Sequence, residues 1–251
     1  MNPLISAFTK GIERSEIAPS KVCVASDILF EPEVVKGLGI DFFHTIRGRA
    51  IAFGTGLKLV NPGLKVVPFV GDLMTLGGNH FVHSSRRNME LLVLCVNNYV
   101  YPVIGGKSAP TAAADFSPYS TFEEPFNVPH LANSCGAVYT ARWTAMHTEE
   151  LAGSIAAALN KSGLSLIEVL SPGPNFYTDI NSIDSDLTNF YYENSIIKNG
   201  EEPKNAGIVP EEKIAVGTFT DTERPTFLQS YNAQLTEKLG DKFSPYGIQN
   251  G

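Results

Sequence analysis

The sequence has only three cysteines, and their wide spacing is unlike that of cysteines that share a metal site. The number is odd and no C-x-x-C pair occurs among Cys23, Cys95 and Cys135. Both facts argue against a disulfide framework and a structural zinc site. An all-cysteine iron–sulfur cluster needs four thiolates, more than this chain can supply. Cys23 and Cys95 lie within apolar, β-like runs, and we expect both to be buried core thiols.

The sequence also lacks an excess of positive charge and any long apolar run. The formal net charge is −7, which argues against nucleic-acid binding, because clustered basic residues are what hold a polyanion. The longest apolar runs, such as 91–96, are far too short to span a bilayer. The first residues lack the basic head and apolar stretch of a signal peptide. We therefore expect a cytoplasmic protein that binds neither membranes nor nucleic acid.

Short apolar runs alternate with helical patterns along the chain. The hydrophobicity of these runs is continuous, which is typical of parallel strands covered on both faces. Thr148 is the expected N-cap of the last predicted helix. The pattern predicts one α/β domain over residues 1–251, with a doubly wound, mostly parallel sheet and helices on both faces. The candidate strands are 22–25, 66–70, 91–96, 137–140, 166–170 and 214–217, and the candidate helices are about 48–60, 75–88 and 149–161.

Two long segments interrupt this alternation. The stretch at about 105–133 is rich in Gly, Pro, Ala and Ser, and it is predicted to be a long loop. The stretch at about 171–212 is polar, turn-rich and aromatic. A connection of this length is typical of a functional lid or a partner-contacting arm. The alternative is a surface excursion that packs its own aromatic side chains.

Polar residues follow two of the predicted strands at the point where each strand ends. Gly71-Asp72 follows one, and Asn97-Asn98 follows the other. In open parallel sheets, ligands bind outside the carboxyl ends of the strands. Carboxylate and amide oxygens suit Mg²⁺, and the start of the helix near 77–79 supplies N–H groups for an anion. The residues suggest a magnesium–diphosphate site, although Gly-Asp and Asn-Asn also mark ordinary turns.

A longer stretch makes this interpretation specific. Residues 71–107 read GDLMTLGGNHFVHSSRRNMELLVLCVNNYVYPVIGGK, and this stretch closely resembles the thiamine-diphosphate-binding β subunits of 2-oxoacid:ferredoxin oxidoreductases. The resemblance extends over about 20–230, including 44–50, 55–62, 136–142 and 166–172. It implies the diphosphate-binding domain of the thiamine-diphosphate fold. It also implies that Asp72, the Asn98 side chain and the Val100 carbonyl bind Mg²⁺.

The resemblance also suggests which residues contact the cofactor and the substrate. Gly71 and the turn formed by Gly77, Gly78 and Asn79 would lie against the diphosphate. His80 belongs to the matched block and is a candidate catalytic residue, with a helix-surface histidine as the alternative. Arg47 and Arg49 are candidates for binding a substrate carboxylate or the diphosphate, because a guanidinium pairs well with both. The alternative for each arginine is a structural salt bridge.

The sequence departs from the family at the positions of its iron–sulfur ligands. The family's four cysteines lie in an N-terminal C-x-x-C pair, after the first strand, and in a P-C-P motif. Here the N-terminus lacks the pair, residues 25–30 contain no cysteine, and the last motif is Pro172-Gly173-Pro174. Leu73 and Arg47 replace residues that are commonly glycine and histidine. No iron–sulfur cluster is therefore expected on this chain.

The resemblance implies a function that needs partners. An α-type subunit would carry the pyrimidine-binding domain and the activating glutamate, so the isolated chain should be inactive. The complex would decarboxylate a 2-oxoacid to an enamine that is oxidised to acyl-CoA, with electrons passed to ferredoxin through another subunit. The missing cysteines favour an alternative, a non-oxidative decarboxylase or carboligase subunit. A second alternative is a non-catalytic pseudo-enzyme subunit.

Overall fold

The computed structural model describes residues 3–27, 38–71, 73–101, 107–108, 111, 124–171, 187–208 and 212–247. The strands are β1 (Val22–Ser26), β2 (Asp41–His44), β3 (Lys65–Val70), β4 (Leu92–Asn97), β5 (Val100–Tyr101), β6 (Lys107–Ser108), β7 (Tyr139–Thr144), β8 (Ser165–Leu170), β9 (Ser195–Ile197) and β10 (Ile214–Asp221). The α-helices are α1 (Pro3–Ser15), α2 (Ala50–Val60), α3 (Gly78–Arg87), α4 (Val128–Ser134), α5 (Thr148–Asn160), α6 (Leu187–Glu193) and α7 (Phe227–Leu239). A π-helical turn covers Leu73–Gly77, and short 3-10 turns cover Pro19–Lys21, Pro203–Asn205 and Gly240–Lys242.

Eight strands form one sheet in the order β2-β1-β3-β4-β8-β7-β10-β9. Neighbouring strands are parallel throughout, except that β10 runs antiparallel to β7. Strands β5 and β6 form a separate antiparallel pair. The mostly parallel, helix-covered α/β sheet predicted from the apolar runs is therefore confirmed. From β1 the chain continues to β2 on one side and then to β3 on the other, so a topological switch point lies between β1 and β3.

Each face of the sheet is covered by its own apolar core because alternate strand side chains point to opposite faces. On one face, Val67 and Ile167 pack with side chains of α1 and α5, including Phe8 and Ile155. On the other face, Val93 packs in a core that also contains residues of α2, α3 and α4. This two-sided burial explains why the central strands are continuously hydrophobic.

Several elements differ from the sequence-based expectation. Thr148 is the first residue of α5 and not its N-cap, because His147 occupies that position without a side-chain hydrogen bond. The helix expected over 75–88 starts at Gly78, after the π-helical turn. The loop expected over about 105–133 ends in α4. The described part of the 171–212 segment contains α6 and β9, and β9 joins the edge of the sheet.

The cysteines occupy separate places in the fold. Cys23 and Cys95 are buried in β1 and β4, as predicted, and burial raises the pKa of the Cys23 thiol, with a smaller contribution from Asp41. Cys135 follows α4 and precedes β7. It therefore lies at the amino end of that strand, away from the carboxyl ends of the parallel strands. None of the helices in the described ranges combines the length and hydropathy needed to cross a bilayer.

Candidate active site

The switch point between β1 and β3 is held together by one buried carboxylate. Asp27 follows β1 and is 6% exposed. Its Oδ2 accepts a hydrogen bond from the Gly48 N–H at 2.8 Å, and its Oδ1 accepts a longer one from the Gly71 N–H at 3.4 Å. Burial raises the pKa of Asp27, although these two N–H groups and the charges of Arg47 and His44 act in the opposite direction. Asp27 therefore joins the loop before α2 to the residue that precedes Asp72.

The loop before α2 fits closely against the π-helical turn. Gly48 has φ of +73°, and a Cβ placed there would lie 2.5 Å from Leu76 Cβ and 2.6 Å from the Leu76 carbonyl oxygen. The Arg49 guanidinium donates hydrogen bonds to the carbonyls of Gly48 and Leu76, at 3.2 and 3.1 Å. Arg49 thus stabilises the turn that leads into α3, while Arg47 is exposed.

Replacing Gly48 with alanine is expected to destabilise the fold. The left-handed backbone alone costs a non-glycine residue about 1–2 kcal/mol, and the contact with Leu76 adds to that cost. The matched control is Gly56→Ala, in the middle of α2, where a new Cβ meets nothing within 4 Å. This control should stabilise the helix by about 0.5–1 kcal/mol. Urea unfolding followed by circular dichroism measures the change in the free energy of unfolding for both variants. A change of the same sign in both would contradict the prediction.

Helix α3 begins with exposed and half-buried polar groups near this loop. Its N-cap is Gly77, which has no side chain to cap the helix, and the N-terminus of a helix favours an anion. The exposed Asn79 uses its Oδ1 to accept a hydrogen bond from the His80 N–H at 2.9 Å. Gly77 and Gly78, which the resemblance places against the diphosphate, lie where the π-helical turn meets α3.

His80 is the only predicted site residue whose side chain carries a buried, unsatisfied nitrogen among the described residues. Its Nε2 is buried and has no hydrogen-bond partner in the described part of the chain. Burial lowers the pKa of His80, and the nearby Arg49 and His83 lower it further. The imidazole is therefore neutral at pH 7. His80 and His83 also line a cleft between α2 and α3 with Thr55 and Arg87.

The end of β4 carries the other half of the predicted metal site. The partly exposed Asn98 follows the strand, and Val100 begins β5. Between them, Tyr99 is buried and adopts φ of +60°. Asp72 lies outside the described residues. The described residues contain no group of three or more His, Cys, Asp or Glu that could hold a metal, and a site built from one carboxylate, one amide and one carbonyl would not form such a group.

A buried polar network lies beneath Asn98 and was missed by sequence reasoning. Asn97 Nδ2 donates to Glu168 Oε1 at 2.8 Å, and Arg142 Nε donates to Glu168 Oε2 at 2.6 Å. Arg142 also donates to the carbonyl of Ala206. The side chains of Arg142 and Glu168 are each 1% exposed. Two opposite charges within neighbouring apolar strands were the available signal, because buried charges require partners.

The long loop and the arm both contact this edge of the sheet. Thr111, in the loop, donates from Oγ1 to Asn97 Oδ1 at 2.9 Å. In the arm, the Tyr191 ring stacks on Tyr99 with centroids 5.3 Å apart. Tyr192 packs against His147, with centroids 4.6 Å apart. Both segments therefore return to the carboxyl ends of β4 and β7.

Comparison with known proteins identifies the family. The thiamine pyrophosphate enzyme family, C-terminal TPP binding domain, matches residues 33–169. The 2-oxoglutarate synthase subunits KorB of Methanothermobacter marburgensis and Methanocaldococcus jannaschii are 36% and 38% identical to this chain. Each alignment covers 94% of this chain, with 86% and 90% of the respective relative. The β subunit of 2-oxoacid:ferredoxin oxidoreductase 1 of Aeropyrum pernix is 31% identical, over 98% of this chain and 81% of that protein.

A solved structure shares the fold. The 2-oxoglutarate:ferredoxin oxidoreductase of Magnetococcus marinus, with 2-oxoglutarate, coenzyme A and succinyl-CoA bound, superimposes with a TM-score of 0.77 at 24% identity. The match covers 94% of this chain and 85% of that one. At this identity the match shows the shared fold. The chain belongs to the β subunits of 2-oxoacid:ferredoxin oxidoreductases and carries their thiamine diphosphate-binding domain.

Proposed function

We propose that this chain supplies the diphosphate-binding half of an active site that oxidatively decarboxylates a 2-oxoacid. The overall reaction would convert the 2-oxoacid and CoA to acyl-CoA and CO₂, with two electrons passing to ferredoxin. The observation that carries the proposal is the convergence of Gly48, Gly71 and the π-helical turn before α3 at the switch point, in a chain of this family. Because two of the relatives are named 2-oxoglutarate synthase subunits, 2-oxoglutarate is the first substrate to test.

The residues present fit thiamine diphosphate and Mg²⁺. Asp72, the Asn98 side chain and the Val100 carbonyl would bind the metal through hard oxygen atoms. Gly71 and the turn from Gly77 to Asn79, at the start of α3, would lie against the diphosphate. When bound, thiamine diphosphate supplies the electron sink that decarboxylation of a 2-oxoacid requires.

The remaining site residues would act on the substrate and on the shape of the site. The exposed Arg47 is suited to bind the substrate carboxylate, because a guanidinium forms paired hydrogen bonds with it. The neutral His80 can accept or donate a proton at Nε2, an atom with no partner in the described part of the chain. Arg49 would keep the turn before α3 in place. The arm, through Tyr191 and Tyr192, would cover the site beside Tyr99 and His147.

An α-type partner subunit would complete the site. An apolar groove borders the loop of Arg47 and Arg49, and it is lined by Phe43, Ala52, Phe53, Gly56, Leu57 and Val60. Val60 and Phe53 are 82% and 46% exposed, and Ile46 beside the loop is 73% exposed. A contiguous apolar surface of this kind is typical of a protein interface. Its continuity with the candidate site supports contact with the subunit that carries the pyrimidine-binding domain and the activating glutamate.

The test is turnover by the complex co-purified with its partner subunits. We expect 2-oxoglutarate to reduce a viologen dye only when CoA is present, with release of CO₂, and other 2-oxoacids to react more slowly. The chain purified alone should release no CO₂. Turnover by the isolated chain would contradict the need for a partner, and a complex inactive with every 2-oxoacid would contradict the proposed reaction.

One observation favours a second function within the same cofactor chemistry. Electrons need a relay, and this chain has three cysteines at positions unsuited to a four-thiolate cluster, two buried in β1 and β4 and one at the opposite edge of the sheet. A non-oxidative decarboxylase or carboligase needs no relay. Aldehyde or acyloin formed from the 2-oxoacid without dye reduction would identify this function.

A further inference from the structure

A chain of buried polar contacts runs from the middle of the sheet to the turn that carries Asn98. It starts at Arg142 on β7, passes through Glu168 on β8 and reaches Asn97 at the end of β4. The two hydrogen bonds are 2.6 and 2.8 Å long. Asn97 is 3% exposed and the other two side chains 1%. Solvent cannot replace any of these contacts, so each group depends on its neighbour.

Glu168 determines which way the Asn97 amide points. An ionised carboxylate only accepts hydrogen bonds, so the Asn97 NH₂ group must face it. The Asn97 Oδ1 is thereby directed to the turn. There it accepts the Tyr99 N–H at 3.1 Å and the Thr111 hydroxyl at 2.9 Å. Rotating the amide by half a turn would place NH₂ against both of these donors.

The turn needs this support because its backbone is unusual. The Asn97 Oδ1 contact to the Tyr99 N–H spans Asn98 and orients the peptide group between Asn98 and Tyr99, and Tyr99 itself adopts φ of +60°. A tyrosine rarely adopts this left-handed conformation unless its surroundings enforce it. The same short turn carries the Asn98 side chain and leads into the Val100 carbonyl, which are the two groups assigned to the metal.

We infer that Glu168, held in place by Arg142, is a positioning residue for the metal site. It orients the Asn97 amide, and Asn97 in turn shapes the backbone of residues 98–100. This inference rests on the proposed function, since the metal ligands are part of that proposal. The effect on the metal is indirect, because neither Glu168 nor Asn97 is expected to touch it.

The chemistry of the contacts provides an exchange test. In Glu168→Gln, one of the two acceptor oxygens becomes an NH₂ donor. The side chain can then no longer accept hydrogen bonds from both Asn97 and Arg142. In Asn97→Asp, a second carboxylate faces Glu168 and repels it.

The double variant Asn97→Asp/Glu168→Gln exchanges the two groups and keeps the total charge of the wild type. Its amide NH₂ at position 168 can donate to one oxygen of the carboxylate at position 97, and its amide oxygen can accept from Arg142. The second carboxylate oxygen at position 97 still accepts from Tyr99 and Thr111.

The measurement is thiamine diphosphate binding by the co-purified complex, by equilibrium dialysis across a series of MgCl₂ concentrations. Each single variant should raise the MgCl₂ concentration needed for half-saturation by about 10–100-fold, the usual effect of losing a group that orients a metal ligand. The double variant should recover most of this loss. Where a single variant fails to assemble, Asn97→Ala replaces it, because it removes the amide without adding charge, and its binding should weaken in the same direction.

The matched control is the buried amide of Asn88, which precedes β4 at the opposite edge of the sheet. Its Nδ2 donates to the carbonyls of Arg224 and Pro225, and its Oδ1 accepts the Leu164 N–H at 2.9 Å. Asn88→Asp and Asn88→Ala should lower the unfolding temperature while leaving the MgCl₂ dependence of the assembled complex unchanged. If Asn97 contributed only to stability, its variants would likewise lower the unfolding temperature and leave the MgCl₂ dependence unchanged.

Two results would overturn the inference. One is wild-type MgCl₂ dependence in the assembled single variants, and the other is a double variant no better than the worse single one. Failure of the proposed function is recognised separately. In that case the wild-type complex binds no thiamine diphosphate, or Asp72→Ala binds it as well as the wild type does, whatever the variants at 97 and 168 show.

Discussion

Replacing Asp72 with alanine is expected to abolish magnesium-dependent binding of thiamine diphosphate and, with it, all turnover by the complex. Loss of an outer group that merely orients a ligand weakens metal binding by about 10–100-fold, and loss of the carboxylate itself should exceed that. The reason is electrostatic. Asp72 is the one anionic group among the three proposed ligands, and the diphosphate and Mg²⁺ must be held together at the edge of the sheet.

The readout is the amount of thiamine diphosphate retained by the purified complex, together with dye reduction by 2-oxoglutarate and CoA. Asp41→Ala is the matched control, because Asp41 is an exposed acidic residue at the opposite end of β2 from the site. This control should retain thiamine diphosphate and reduce the dye as the wild-type complex does. If Asp72→Ala retained the cofactor, the metal assignment would be wrong. If the wild-type complex retained none, a non-catalytic subunit would be the better interpretation.

Replacing Glu168 with alanine is expected to destabilise the folded chain by about 3–5 kcal/mol, the usual cost of leaving one member of a buried ion pair without its partner. Arg142 is 1% exposed, so water cannot solvate the abandoned guanidinium. Such a loss is a large share of the roughly 5–15 kcal/mol that stabilises a typical domain. Chemical unfolding of the chain, followed by circular dichroism, measures it.

The matched comparison removes both charges. In Arg142→Met/Glu168→Leu, apolar side chains of similar size replace the pair, and such replacements are often close to neutral in other proteins. The Asn97 amide and the Ala206 carbonyl still lose partners, so recovery should be partial. The double variant should nonetheless be more stable than Glu168→Ala. A less stable double variant would mean that the ion pair itself contributes net stability.

The central fold is accessible from sequence because of where its strands lie. Strands β3, β4 and β8 are covered on both faces, so their composition is continuously apolar. Strand β2 escaped prediction because it is a short edge strand with exposed ends and reads Asp-Phe-Phe-His. Helix α1 was also missed, although Leu4, Ile5, Phe8 and Ile12 are spaced for one helical face and are buried.

The candidate site residues could be proposed from sequence for a different reason. Gly71, Gly77 and Asn98 belong to a contiguous motif, so the local sequence was sufficient to nominate them. Asp27 and Glu168 act through contacts 21 and 71 residues away along the chain, to Gly48 and Asn97. Such contacts depend on which strands are neighbours. The order of strands along the chain does not show that β8 lies between β4 and β7.

The contact between Arg142 and the arm has a consequence for the substitutions that this chain can tolerate. Arg142 reaches a main-chain carbonyl at position 206 and not a side chain, and every residue type provides that acceptor. Substitutions in the arm can therefore accumulate without loss of its anchor. The side chains of the arm can change while the strand ends at the candidate site keep their geometry.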